Sequence, residues 1–289
     1  MYKNILSSNS NSKVINISSH NINGILDLKT FTRLEILDCS NNNLHTIVNF
    51  PDTLEELYCN DNYLNNLDGL PNSLIKLNCS HNNICCINNL PYNLIEINCK
   101  NNKLKYLNML PENLEILNCS FNMIEKLEDL PNNLKKLNCS SNQIKSINYL
   151  PNNLKELNCS NNKIWKISKL PDSVEEFDCS KNEIEDEFIF VPNLINVYIQ
   201  NNKIKSLNNL LVCTRIKILN CENNQIDWID GLPDDIEEFI ANNNYFEWIW
   251  NEIPKSLEVI GIEKYKLNDR FDNEKTLLVL DKNRNKYLN

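Results

Sequence analysis

LPNNLKKLNCSSNQIKSINY, Leu130 to Tyr149, is followed at once by LPNNLKELNCSNNKIWKISK, Leu150 to Lys169. Laid over each other, the two stretches match at Leu130/Leu150, Pro131/Pro151, Leu134/Leu154, Leu137/Leu157, Cys139/Cys159, Asn142/Asn162, Ile144/Ile164 and Ile147/Ile167. The shared frame is LPxxLxxLxCxxNxIxxIxx, with a period of twenty. Self-similarity at a fixed period of this size predicts a stacked array, in which each unit buries its apolar face against its neighbours.

Outward from that pair, the frame recurs at Ile15, Leu37, Leu57, Leu77, Ile97, Leu117, Leu137, Leu157, Phe177, Val197, Leu219, Phe239 and Ile260, which predicts about thirteen rungs. In each rung LxCxxN predicts a short strand with Leu and Cys inward and the residues between them outward. An Asn then turns the chain: Asn42, Asn62, Asn82, Asn102, Asn122, Asn142, Asn162, Asn182, Asn202, Asn224 and Asn244. Its amide offers donors and an acceptor to backbone groups left unpaired by the bend and by the next rung. His20 stands at the equivalent place in the first rung and Tyr265 in the last. The period leaves no room for a full helix on the way back, so the Pro-bearing return is expected to be extended or 3-10.

Irregularities are informative. The step from Asn202 to Asn224 is two residues longer than its predecessors, with the surplus around Leu211 to Arg215, away from the strands. At the tenth rung the proline shifts to Pro192 while the frame holds. Thr276 to Asn283 repeats the core as Leu278-x-Leu280-x-x-Asn283, a partial closing rung. The expected organisation is a disordered lead or cap at 1–13, the solenoid at 14–267, and a partial repeat or cap at 268–289.

Composition excludes several function classes. The net charge of −9 disfavours nucleic acid and anionic membranes as partners. The opening MYKNILSSNSNSK has no signal-like apolar run, and no stretch is long and apolar enough to span a bilayer. Nine of the twelve cysteines (Cys39, Cys59, Cys79, Cys99, Cys119, Cys139, Cys159, Cys179, Cys221) share one inward phase. Their parallel Cβ vectors disfavour disulfides, so a ladder of free thiols in a reducing, cytoplasmic setting is expected. No metal-type CxxC pairing, phosphate-binding glycine loop or nucleophile–base spacing occurs, and neither enzyme activity nor a cofactor is expected. Paired carboxylates such as Glu55-Glu56, Glu175-Glu176 and Glu237-Glu238 read as a solvated repeat face. Cys85-Cys86 breaks the frame, but no adjacent cation activates it. The NCS triplets beginning at Asn78, Asn118, Asn138 and Asn158 arise from the repeat itself.

The LPxxLxxLxCxxNxI frame resembles the bacterial-effector class of leucine-rich repeats, which carry LPxxLxxLxVxxNxLxxLP. The likeness covers roughly residues 31 to 267, with Cys in the place of Val. The LPxSL pieces at Leu70–Leu74 and Leu170–Val174 (Val for the last Leu), with the Asn/Ile bias, are similar to leucine-rich repeat proteins of slime moulds and giant DNA viruses. The resemblance implies an α/β-type repeat solenoid with a parallel sheet on its concave face and extended or 3-10 returns on its convex face. It also implies a non-catalytic scaffold that binds a protein partner through the concave face, in the host cytoplasm if the source is viral. The alternative is a regulatory adaptor that recruits an enzyme such as a ubiquitin ligase. The ligase domain of some bacterial relatives is not carried over, since little chain follows the array.

Within the sheet, the outward rows are monotonous: Asn78, Asn98, Asn118, Asn138 and Asn158 in one, Ser80, Ser120, Ser140, Ser160 and Ser180 in another. Such rows are expected to hydrogen-bond along the stack. Information should lie where they are interrupted, at Tyr58, His81, Lys100 and Phe121, and further on at Tyr198. A second candidate patch is the aromatic group Trp228, Tyr245, Trp248 and Trp250, in which Trp228 and Trp248 share a phase and Phe246 lies inward.

Overall fold

The alternation of one inward residue between two outward ones yields strands of three residues, and twenty-residue spacing sets them in parallel register. The computed structural model describes residues 11–167, 169–185, 188–229, 231–245, 254–261, 278–280 and 286–288. Contacts divide the chain into two units, Met1–Gln143 (unit 1) and Ile144–Asn289 (unit 2). Each is a parallel-strand solenoid.

In unit 1 the strands are Val14–Asn16, Ile36–Asp38, Glu56–Tyr58, Lys76–Asn78, Glu96–Asn98, Ile116–Asn118 and Lys136–Asn138. Their central residues lie side by side, Ile15 against Leu37, Leu37 against Leu57 and so on to Leu117 against Leu137. Unit 2 repeats the design with Glu156–Asn158, Glu176–Asp178, Asn196–Tyr198, Ile218–Asn220, Glu238–Ile240 and Val259–Gly261. Leu278–Leu280 then adds in parallel to Val259–Gly261, and Lys286–Leu288 pairs with it antiparallel. The remainder of Thr276–Asn283, and Tyr265, lie outside the described residues.

The approach to each strand is a tight turn. Leu54 N donates to Pro51 O at 3.1 Å, and the same bond recurs at Leu74, Leu94, Leu114, Leu134, Leu154 and Val174. Where the proline shifts to Pro192, Val191 O takes over and receives Leu194 N at 3.4 Å, so the turn survives without proline at its first place. The return side carries short parallel pairs: Asn23–Asp27 with Asn43–Val48 in unit 1, and Ser146–Ile147 with Lys166–Ile167 and Phe188–Ile189 with Leu207–Asn208 in unit 2. The long step after Asn202 holds a 3-10 turn, Leu210–Val212, the only helical turn among the described residues. The helical part of the expected α/β type is reduced to that turn.

The core is a set of stacked columns. The Leu37, Leu57 and Leu77 column, the Cys39, Cys59 and Cys79 column and the Leu34, Leu54 and Leu74 column are all buried. All nine ladder cysteines are buried and free, as is Cys213, whose Sγ donates to Val191 O at 3.1 Å. Burial pushes the Cys99 and Cys139 thiols up to about 12, and holds Cys59, Cys79, Cys119 and Cys179 well above their ordinary value. These thiols are packing groups in their neutral form.

Candidate partner-binding surface

The strand face is built on an asparagine scaffold. Asn62 Nδ2 donates to Cys59 O and Asn60 O in its own rung, each at 3.2 Å, and to Cys39 O one rung back at 3.0 Å. Its Oδ1 accepts from Leu44 N, again one rung back, at 2.9 Å. Asn82, Asn102 and Asn122 repeat this set in unit 1, and Asn182, Asn202 and Asn224 in unit 2. The links run to the preceding rung, not to the following one as the sequence reading had it. His20 keeps one element of the pattern: its Nδ1 lies 2.6 Å from Ser18 O, though the ring is exposed.

The polar rows also differ from expectation. Ser80, Ser120, Ser140 and Ser160 each donate from Oγ to the Asn two places earlier, at 2.7–2.8 Å. These bonds lie within a rung, because the chain bends straight after the strand and brings Ser back over its own Asn side chain. The NCS triplet is therefore a closed local turn.

Directly after the serine column comes a third column, with every member in left-handed backbone: Asn41, Asp61, His81, Asn101, Phe121, Ser141, Asn161, Lys181, Asn201, Asn223 and Asn243. Asn and Asp tolerate this conformation best. The four interruptions thus do not share the rows assigned to them. Tyr58 belongs to the Asn78 column and Lys100 to the Ser80 column, while His81 and Phe121 belong to the left-handed one.

The structure brings two of them together. Lys100 Nζ lies 5.3 Å from the centroid of the Phe121 ring, and Phe121 is 52% exposed. His81 Nδ1 accepts from Asn101 Nδ2 at 2.9 Å. Tyr58 turns to its own strand: its hydroxyl donates to Glu56 Oε2 at 2.7 Å. That bond, with burial and the nearby Glu56, Glu96 and Asp38 carboxylates, pushes the phenol up to about 12. Tyr198 stands half-buried in unit 2. Of the second patch, Trp228 and Tyr245 are exposed, at 65% and 68%, while Phe246, Trp248 and Trp250 lie outside the described residues.

Sequence reading passed over the outward isoleucines of unit 1. Ile36 is the first, and Ile75, Ile95 and Ile116 occupy the strand face in successive rungs, in columns that otherwise hold mostly Glu and Lys. The signal was present, since column mates at those places are charged. Met109 was passed over too; it is 86% exposed and left-handed, in a return column of Asn49, Gly69, Asn89 and Asp129.

Among the described residues, no group of three or more His, Cys, Asp or Glu side chains is placed to hold a metal ion. No helix among them is long and apolar enough to cross a membrane. Cys85 and Cys86 lie on the return side with their sulfurs 3.9 Å apart.

A family profile described as Leucine Rich repeats (2 copies) matches residues 132–172. YopM from Yersinia enterocolitica WA-314 is similar in structure, with TM-score 0.62 and 26% identity, over 80% of this chain and 60% of that one. The chain thus spans well under two thirds of the YopM chain that it matches. The functional domain of InlJ from Listeria monocytogenes, described as including a cysteine ladder, gives TM-score 0.57 and 24% identity over 86% of this chain and 67% of its own. The APL1 leucine-rich repeat domain gives TM-score 0.69 at 16% identity, over 88% and 80%. No curated protein sequence matches the chain significantly. The chain is a leucine-rich repeat solenoid that resembles the bacterial-effector class, and such solenoids are typically protein-binding scaffolds.

Proposed function

We propose that the chain is a non-catalytic scaffold that recognises a protein partner through its strand face, with Phe121 and Lys100 as the anchor in unit 1 and Tyr58 on the same face, further toward the first rung. One observation carries this reading. Phe121 holds φ 55° in a column dominated by Asn, and exposes half of its ring. A left-handed backbone costs an L-residue roughly 1–2 kcal/mol, and an exposed ring returns little of that to stability. The residue is therefore poor for folding and well placed for contact. Aromatic side chains are the common energetic centres of protein interfaces, and the ammonium of Lys100 adds a cation to the same spot. The half-buried Ile75 and Ile116 and the exposed Ile95 supply apolar area on the same unit's strand face.

The test restores the columns with Tyr58→Asn and Phe121→Asn, separately and together. Partner capture from the producing cell is then compared by quantitative mass spectrometry against the unaltered chain. Capture of a specific partner should fall about tenfold or more, equal to about 1.4 kcal/mol of binding, while thermal melting is unchanged or improved. Undiminished capture by the double variant would remove these residues from the interface.

A further inference from the structure

The strand faces of the two units differ in charge. Three outward columns can be followed: the first strand residue, the third, and the residue two places beyond. In unit 1, from Ile36 to Ser140, they hold three carboxylates (Asp38, Glu56, Glu96) and three ammonium groups (Lys76, Lys100, Lys136), a balance of zero. In unit 2, from Glu156 to Gly261, they hold five carboxylates (Glu156, Glu176, Asp178, Glu222, Glu238) and no cation. In the flanking columns Lys155 and Lys217, one place before the strands, are ion-paired to Glu175 at 3.2 Å and Glu237 at 3.0 Å, and the exposed Lys181 stands one place beyond Ser180.

A second feature sets this face apart. Among the described residues, two buried side-chain oxygens have no hydrogen-bond donor: Gln200 Oε1 and Asn242 Oδ1. Both belong to the column of Ser160 and Ser180 in unit 2, and Asn242 is only 4% exposed. A buried acceptor without a donor is costly, and it marks this column as a locally strained part of the face. Tyr198 ends the strand of the same rung, two places before Gln200. Asp178 is its partner on the neighbouring strand, where Glu176 is the partner of Asn196 from the strand of Tyr198. Burial first, then the carboxylates of Glu176, Glu238 and Asp178, raise its phenol.

We propose that the strand face of unit 2, centred on Tyr198, binds an extended partner segment that carries lysine or arginine side chains. An ammonium or guanidinium over the phenol ring gains cation–π attraction, while flanking carboxylates neutralise its charge. Half-buried Ile195 and Ile218 offer apolar surface to the aliphatic stems of such side chains. The sign of the charge turns away phosphate backbones. This inference rests on the reading of the strand face as a partner surface, but it concerns a different unit and different residues from Phe121.

The experiment measures fluorescence anisotropy of a labelled peptide of repeating Lys-Leu-Ser, with a Glu-Leu-Ser peptide as its counterpart, against the full chain. The lysine peptide should bind, more weakly as salt is raised, and the glutamate peptide should not. Tyr198→Asn should weaken binding about tenfold, while Tyr198→Phe, which keeps the ring, should retain it. Glu176→Gln with Glu238→Gln should weaken binding and flatten its salt dependence. Glu96→Gln with Glu115→Gln removes the same formal charge from unit 1 and should leave binding unchanged. Equal loss from both charge pairs would mean non-specific attraction to an acidic chain and would overturn the proposal. So would equal binding of the two peptides, or salt-sensitive self-association that the lysine peptide does not compete with, which would make a second copy the occupant. If the lysine peptide fails to bind while Phe121-dependent capture persists, only this inference falls and the reading of unit 1 stands.

Discussion

Asn102 donates from Nδ2 to the carbonyl of Cys79, a full rung earlier, at 3.0 Å. The same side chain accepts from Ile84 N at 3.0 Å and donates within its own rung to Cys99 O at 3.1 Å. Replacement by Leu keeps the bulk and removes every one of these bonds, leaving buried backbone groups of two rungs unpaired. We expect a loss of about 1–3 kcal/mol for each group stranded, read from urea denaturation midpoints. Asn102→Asp keeps the acceptor but buries a charge, and should be no better than Leu.

Phe121→Asn should act in the opposite direction. The left-handed position suits Asn, and up to about 1–2 kcal/mol of backbone cost is released. Differential scanning calorimetry of the variant should show an equal or higher Tm. A clear fall would mean that the ring is packing into the fold, and would argue against its role as an anchor.

Thiol reactivity should separate sharply into two classes. Cys85 and Cys86 on the return side should react fast with a thiol reagent in the native chain, and the ten buried cysteines slowly. All twelve should react after unfolding. Disulfides along the ladder in protein kept from air would contradict the packing role described above.

The same cysteines set an alkaline limit. Cys99 and Cys139 ionise near about 12 when folded, against an ordinary value of 9.0. Because the folded value is raised, the stabilisation is fully present below 9.0 and is lost as pH climbs toward 12. Urea midpoints should therefore fall progressively across that window. A flat profile would show that the buried thiols do not titrate differently in the two states.

Gly261 is fixed by its neighbour. A Cβ there would lie 2.8 Å from Ile240 Cγ2 and 3.3 Å from Ile240 Cα. Gly261→Ala should destabilise by about 1–3 kcal/mol through overpacking. Trimming the partner with Ile240→Ala in that background should recover part of the loss, a coupling that a double-mutant cycle reads directly.

Much of this was legible in the sequence because the physics repeats. Leu57, Cys59 and Asn62 read as inward strand residues and a turn residue, since one rung's constraints are copied a rung later and chance matches are averaged out. Hydrogen-bond direction was less legible. That Asn62 reaches back to Cys39, and that Ser80 folds onto Asn78, depends on the bend after the strand, which spacing does not encode. His81 and Phe121 stand in a different column from the one that the sequence assigns them, because the left-handed turn separates neighbours that look equivalent along the chain. Ile75, Ile95 and Ile116 were hidden differently: an outward isoleucine looks like core until its column mates are compared.

The backward reach of each asparagine gives the solenoid a direction in time. Within either unit, Leu44 N or Leu64 N has no side-chain acceptor until Asn62 or Asn82 has been added to the chain. During synthesis every rung is thus completed by its successor, and ordering advances from the N-terminus with a lag of one repeat. A nascent chain therefore carries one unfinished rung at its growing end for as long as the array is being made.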